Sequence, residues 1–301
     1  MPVDPQSRVG YIRSMTTPAA APLPADDSTS GQETFAQGRQ AEEAGHLDAA
    51  RSSYESALVV SPDQPAWHYR LGCVLLKLND PGAALSSFER AAAGAADPVR
   101  ALTNLGVCHD RLGQPAEAMR AYKRALGRGR SAVAHHNLGA IHAEEGRTEE
   151  AIRCFEAAID IEPDAEAVLN LGLVYYARQE FGRARECFER SIAEEPGFAL
   201  GHYHAALCLQ RTGMYRAACE RFRHAARLAP RLARIPYHLG VCLRKLEEFE
   251  EARASLEAAL EACPEDGRIH YELALTCDAV GLHQEARLHY GLARSLTEDH
   301  D

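Results

Sequence analysis

The stretch Ser131–Pro163, SAVAHHNLGAIHAEEGRTEEAIRCFEAAIDIEP, decides the fold. Apolar residues recur in it at helical spacing on both sides of Gly146, and a glycine between two such runs is a natural helix stop. The stretch therefore reads as two antiparallel helices joined by a tight turn. Gly139 in the first helix and Ala151 in the second are small, as two closely crossing backbones require. The Phe155 ring fills the space beside the crossing, and Pro163 ends the second helix because its ring cannot continue one.

Working outward, the same phrase returns along the whole chain. Taking Gly139 as an anchor, its counterparts are Gly38, Gly72, Gly106, Gly172, Ala206, Gly240 and Ala274, spaced by 33 or 34 residues. Twelve residues after each anchor stands an alanine, from Ala50 to Ala286. Four further on comes a large residue: Tyr54, Phe88, Tyr122, Phe155, Phe188, Phe222, Leu256 or Tyr290. Prolines close most units, at Pro62, Pro163, Pro196, Pro230 and Pro264. A fixed period of this size marks a solenoid, in which each unit buries its apolar face only against its neighbours.

This pattern resembles the tetratricopeptide repeat (TPR), whose helix-turn-helix signature has Leu-Gly, a later Ala, an aromatic and a closing Pro at these offsets. The resemblance covers residues 31–296 as eight units: 31–64, 65–98, 99–131, 132–164, 165–198, 199–232, 233–266 and 267–296. It implies an all-α fold, a right-handed α-solenoid of antiparallel helix-turn-helix units. The signature's first-helix Trp is replaced, by His68, His135, His202 and His270 among others, and Ala96 and Arg130 stand where two closing prolines would be. Ankyrin repeats would need a Thr-Pro-Leu-His phrase, which is absent. Pentatricopeptide RNA readers have a longer period and usually a basic balance.

Residues 1–30 hold five prolines and no periodicity, and read as a disordered lead-in, with Met15 as an alternative start. Residues 297–301 form a tail. Arg294 replaces the apolar residue that packs on the next unit elsewhere, which marks a polar cap and a natural end of the array. Basic residues number 33 and acidic ones 43, a formal charge of −10, which disfavours nucleic acid as a partner. No run approaches the roughly 20 apolar residues of a membrane helix, so no membrane insertion is expected. Without an export signal the nine cysteines should be reduced thiols, and a cytoplasmic location follows.

Chemistry-bearing motifs are missing: there is no GxxxxGK[ST], GxGxxG after a strand, GxSxG or HExxH. The four histidines at the Trp position read as packing residues with hydrogen-bonded rings rather than metal ligands. Cys108, Cys208 and Cys242 share one repeat position, which suits buried, small apolar use. No catalytic residue, metal or cofactor is expected.

The resemblance puts the first helix of each unit on the concave face, where partners bind. Its ligand-facing offsets place Asn104, Asn137 and Asn170 in a row on successive units, followed by His204 and His238. The row resembles the asparagine ladder in the TPR arm of O-linked N-acetylglucosamine transferases, whose amides hold a peptide backbone; the two histidines would add pH sensitivity. Beside it stand Tyr69, Tyr203, Tyr237 and Tyr271. In units six to eight the groove offsets carry Arg211, Arg234, Arg244, Lys245 and Arg268 against Asp278, so the C-terminal half is expected to capture an acidic segment. The Lys-Asn-Asn-Lys-Arg clamp for Hsp90-type tails is not present. The expected function is a non-enzymatic adaptor that binds an extended peptide or partner segment. The alternative is an accessory subunit recruiting substrate for a separate enzyme such as a glycosyltransferase.

Overall fold

The computed structural model describes residues 11–13, 29–232 and 234–298. Among them the chain forms sixteen α-helices and no strand. They belong to two compact units, one within Gly10–Pro163 and one within Asp164–Asp301. The first holds α1 (Thr29–Glu43), α2 (Leu47–Val60), α3 (Pro65–Lys77), α4 (Pro81–Gly94), α5 (Val99–Arg111), α6 (Pro115–Leu126), α7 (Ala132–Glu144) and α8 (Thr148–Ile161). The second holds α9 (Ala165–Ala177), α10 (Phe181–Glu194), α11 (Ala199–Arg211), α12 (Tyr215–Leu228), α13 (Arg234–Lys245), α14 (Phe249–Ala262), α15 (Gly267–Ala279) and α16 (His283–Glu298). Within each unit, helices pack on their partner in the pair and then on the next pair, an all-α solenoid arrangement. Of the lead-in, residues 1–10 and 14–28 lie outside the described residues, as do 299–301 of the tail.

Each anchor glycine meets the large residue sixteen positions on. A Cβ built on Gly38 would lie 2.7 Å from the Tyr54 ring, on Gly72 2.8 Å from Phe88, on Gly172 2.6 Å from Phe188 and on Gly240 2.6 Å from Leu256. Side chains do not approach so closely, so the small anchor is what lets the ring of the second helix lie under the first. Tyr54, Phe88, Tyr122, Phe155, Phe188 and Phe222 are completely buried there. Burying such a side chain stabilises by roughly 2–3 kcal/mol.

The turn between paired helices is also built alike. The seventh residue after each anchor adopts a positive φ: Gly45, Gly113, Gly146, Gly213 and Gly281, but also Asn79, Gln179 and Glu247, at 59° to 81°. A side chain there is strained by about 1 kcal/mol or more. Gly146→Ala is therefore expected to lower the unfolding free energy by about 1 kcal/mol, read by urea denaturation of the full chain. An unchanged midpoint would show that the turn tolerates the strain.

The histidines at the Trp position take the packing role. The Nε2–H of His68, His202 and His270 donates to the carbonyl of Pro62, Pro196 and Pro264, each six residues earlier, at 2.8, 3.1 and 3.2 Å. The closing proline's carbonyl thus binds the first helix of the following pair. His135 stands six residues after Gly129 instead, and its Nδ1 is buried without a partner. At the far end, α16 exposes Leu288 and Leu292 beside Arg287 and Arg294, so that face is less polar than the sequence suggests.

Candidate functional site

In the Gly10–Pro163 unit, the non-helical residues Tyr11–Arg13 lie against the first helices α5 and α7. The Arg13 guanidinium has an acceptor at each of its three nitrogens. Nη1 donates to the Asn137 carbonyl at 2.6 Å, Nη2 to Glu144 at 2.6 Å, and Nε stands 3.4 Å from the Asp110 carboxylate. The ring of His136 donates through Nε2 to the Ile12 carbonyl at 2.8 Å. Tyr11 stacks on Phe155 with ring centroids 6.5 Å apart and 23° between planes. Burial, then the nearby Glu144 charge, pushes the Tyr11 hydroxyl up to about 12. Burial also raises the Asp110 carboxyl above its ordinary value, and the Arg13 guanidinium opposes that rise.

Sequence reasoning missed this site. Asp110 and Glu144 fall four and five residues after the anchors Gly106 and Gly139, on the last turns of the first helices. The signal available was an acid at adjacent groove offsets, four and five after the anchor, in two successive units.

The asparagine row lies within the packed array. Asn104, Asn137 and Asn170 are all buried. Asn104 Nδ2 donates to the Tyr69 hydroxyl at 3.2 Å, and Asn137 Nδ2 to that of Tyr122 at 3.1 Å. Asn104 Oδ1 is buried without a partner. The Asn104 and Asn137 side chains join neighbouring helices, and the Asn137 main-chain carbonyl meets the Tyr11–Arg13 segment. Tyr69 is itself buried, its ring edge-on to Phe88.

In the Asp164–Asp301 unit, His204 and His238 continue the row as an aromatic stack. His204 lies on Phe188, and His238 on Phe222 with 13° between planes; Tyr203 stands edge-on to both histidines. His238 Nδ1 donates to Gln210 Oε1 at 3.0 Å. Burial, aided by Arg234, pulls His204 down to about 3 and His238 to about 4, so both are neutral at physiological pH. The expected pH sensitivity moves into the acid range. Tyr203 is buried, Tyr237 partly covered with Arg268 over its ring at 5.9 Å, and Tyr271 half exposed.

The structure brings an acid to two of the five expected groove cations. Arg244 pairs with Glu272 at 2.7 Å, both largely buried, and Arg268 with Asp266 at 2.8 Å. Arg211 lies 5.5 Å over the Phe181 ring, while Arg234 and Lys245 are exposed. Burial raises the thiols of Cys73 to about 11 and of Cys108 and Cys208 to about 12, which leaves them protonated and unreactive. Among the described residues no three His, Cys, Asp or Glu side chains converge as a metal site, and no helix is long and apolar enough to cross a membrane.

Stacked helix pairs with glycine–ring crossings define a helical-repeat protein. One tetratricopeptide repeat profile matches residues 35–98, 69–133 and 243–297, and a second matches 130–193. The chain belongs to the tetratricopeptide repeat family. A profile described as anaphase-promoting complex, cyclosome, subunit 3 matches residues 187–259. Among solved structures, MamA of strain MSR-1 is similar at 30% identity over 56% of this chain and 98% of that one, with a TM-score of 0.50. A tetratricopeptide repeat protein from Parabacteroides merdae aligns over 83% of this chain and 99% of its own, at 18% identity and a TM-score of 0.60, a likeness of fold. No curated protein matches by sequence.

Proposed function

We propose that this chain is a non-enzymatic scaffold whose first-helix faces hold segments of partner proteins. The observation that supports it is Tyr11–Arg13, a non-helical stretch held on α5 and α7 through both main chain and side chains. The Asp164–Asp301 unit would take an acidic segment, through the exposed Arg234 and Lys245. The accessory-subunit reading asks for an open row of amides. With Asn104 and Asn137 donating to Tyr69 and Tyr122, the general scaffold is the better supported of the two. A cytoplasmic setting suits a protein whose nine cysteines are all free thiols.

The test is titration of the full chain with a fluorescein-labelled, glutamate-rich peptide by fluorescence anisotropy. Arg234→Glu with Lys245→Glu is expected to weaken binding about tenfold or more at low salt, with the difference shrinking as salt screens the charges. Equal affinity at low and high salt would remove the acidic segment from the reading.

A further inference from the structure

We propose that the α5/α7 face is a specific site for a segment carrying an aromatic residue two places before an arginine. The chain's own Tyr11-Ile12-Arg13 occupies it in cis until a partner segment of the same chemistry displaces it. This rests on the scaffold reading above and adds the ligand's class and its regulation.

The arginine requirement comes from the shape of the receptor. Three acceptors on two helices surround one guanidinium: a carboxylate at Nε, a carbonyl at Nη1 and a second carboxylate at Nη2. That fork matches the planar array of guanidinium N–H groups, whereas an ammonium is a single point charge and cannot reach all three. The Arg13 side chain is only 13% exposed and Asp110 only 17%. Take the arginine away and Asp110 is left as a half-desolvated carboxylate beside Glu144, so the empty face calls for another cation. Elsewhere in the same unit Glu42 is matched by Lys77 and Arg70 of the repeat array itself. Among the described residues, the cation paired with both Asp110 and Glu144 comes from outside the repeats.

Two further contacts set the rest of the pattern. His136 reads the Ile12 carbonyl, a group every residue has, so the middle position is tolerant. Tyr11 stacks on Phe155, which selects a ring two residues before the arginine. Because the segment is joined to α1 through residues 14–28, its docking is intramolecular, with an effective concentration on the order of millimolar. If the cis segment has an intrinsic Kd of about 10 µM, a partner segment would bind about 100-fold more weakly than to an open face.

The experiment uses the full chain and a labelled peptide Val9-Gly10-Tyr11-Ile12-Arg13-Ser14, followed by fluorescence anisotropy. Tyr11→Ala with Arg13→Ala in the protein is expected to open the site and tighten peptide binding at least about tenfold. Adding Asp110→Asn and Glu144→Gln should reverse that gain, with thermal melting as the control for folding. The same peptide with glutamate in place of its arginine, which alters nothing in the protein, should not bind. Equal peptide affinity for the wild-type chain and the opened variant would overturn occupation in cis. So would a doubled mass in light scattering that the opened variant loses, since the segment would then be exchanged between copies. Binding indifferent to the two carboxylates, or to the peptide's arginine, would overturn the arginine site. A peptide array on the opened variant separates the levels: selection of segments lacking the aromatic–x–arginine pattern overturns this inference and leaves the scaffold reading, while selection of none overturns both.

Discussion

Phe88→Ala is expected to lower the unfolding free energy by about 4 kcal/mol, near the upper end for a buried ring. The ring is completely buried, lies under Gly72 and touches the Tyr69 ring edge-on at 5.8 Å. Gly72 has no side chain with which to fill the space that the ring leaves, so the transfer loss and the cavity add. In a repeat array the loss also reaches both neighbouring pairs, because each pair is buried only by those next to it. Phe88→Leu should cost less, about 1 kcal/mol, since Leu256 of α14 fills the same place against Gly240 of α13. Urea unfolding of the full chain followed by circular dichroism measures both. A loss below about 1 kcal/mol for Phe88→Ala would mean that the helices close over the gap and that the glycine–ring contact is not what fixes their crossing.

The fold is legible in the sequence because that contact is a rule about residue size at a fixed spacing. Gly72 and Phe88, or Gly172 and Phe188, stand sixteen residues apart and touch, so a periodic pattern maps directly onto a packing unit. The turn is legible where it carries glycine, as at Gly146. It is silent at Asn79, Gln179 and Glu247, which adopt the same positive φ because the packed helices on either side dictate it. The histidine–proline hydrogen bonds follow from the same regularity: His68, His202 and His270 each stand six residues after a proline, and His135, with Gly129 there, does not join them.

Side-chain direction is less legible than spacing. Asn104 and Asn137 occupy the expected offsets, yet each amide turns to a tyrosine hydroxyl of a neighbouring helix. A row position alone does not distinguish an amide facing a ligand from one joining two repeats. The groove cations illustrate the same limit: Arg244 meets Glu272, one repeat further on, a pairing visible only once the two helices are side by side. Tyr11–Arg13 escapes periodic reasoning altogether. A stretch rich in proline and lacking apolar repeats reads as unstructured, and three residues within it gain their place from partners more than 95 positions away in sequence, such as Asp110 and Glu144.

Acidification is expected to destabilise the Asp164–Asp301 unit by about 3 kcal/mol between pH 6.5 and about pH 4.5, through His204 and His238. Both rings are held neutral in the folded unit. Phe188 and Phe222 cover their faces, Tyr203 stands at their edges, and the positive charges of Arg234 and, for His238, Arg268 oppose a further proton. In the unfolded chain each histidine takes up a proton near its ordinary value of 6.5. From there down to the folded values of about 3 and about 4, the unfolded state binds more protons, so stability falls as pH falls and is fully present above 6.5. The full slope is about 1.4 kcal/mol per pH unit for each group, or about 5 kcal/mol for two groups between pH 6.5 and about pH 4.5, and solvent screening at these partly exposed residues reduces it to about 3 kcal/mol. His204→Asn with His238→Asn installs the residue that the three preceding pairs carry at this offset and removes both titrations. Urea unfolding at about pH 7 and about pH 4.5 should show the wild-type chain losing stability much faster than this variant. Parallel losses in the two proteins would place the acid sensitivity on other groups, and would mean that the stacked rings accept protons without leaving their positions.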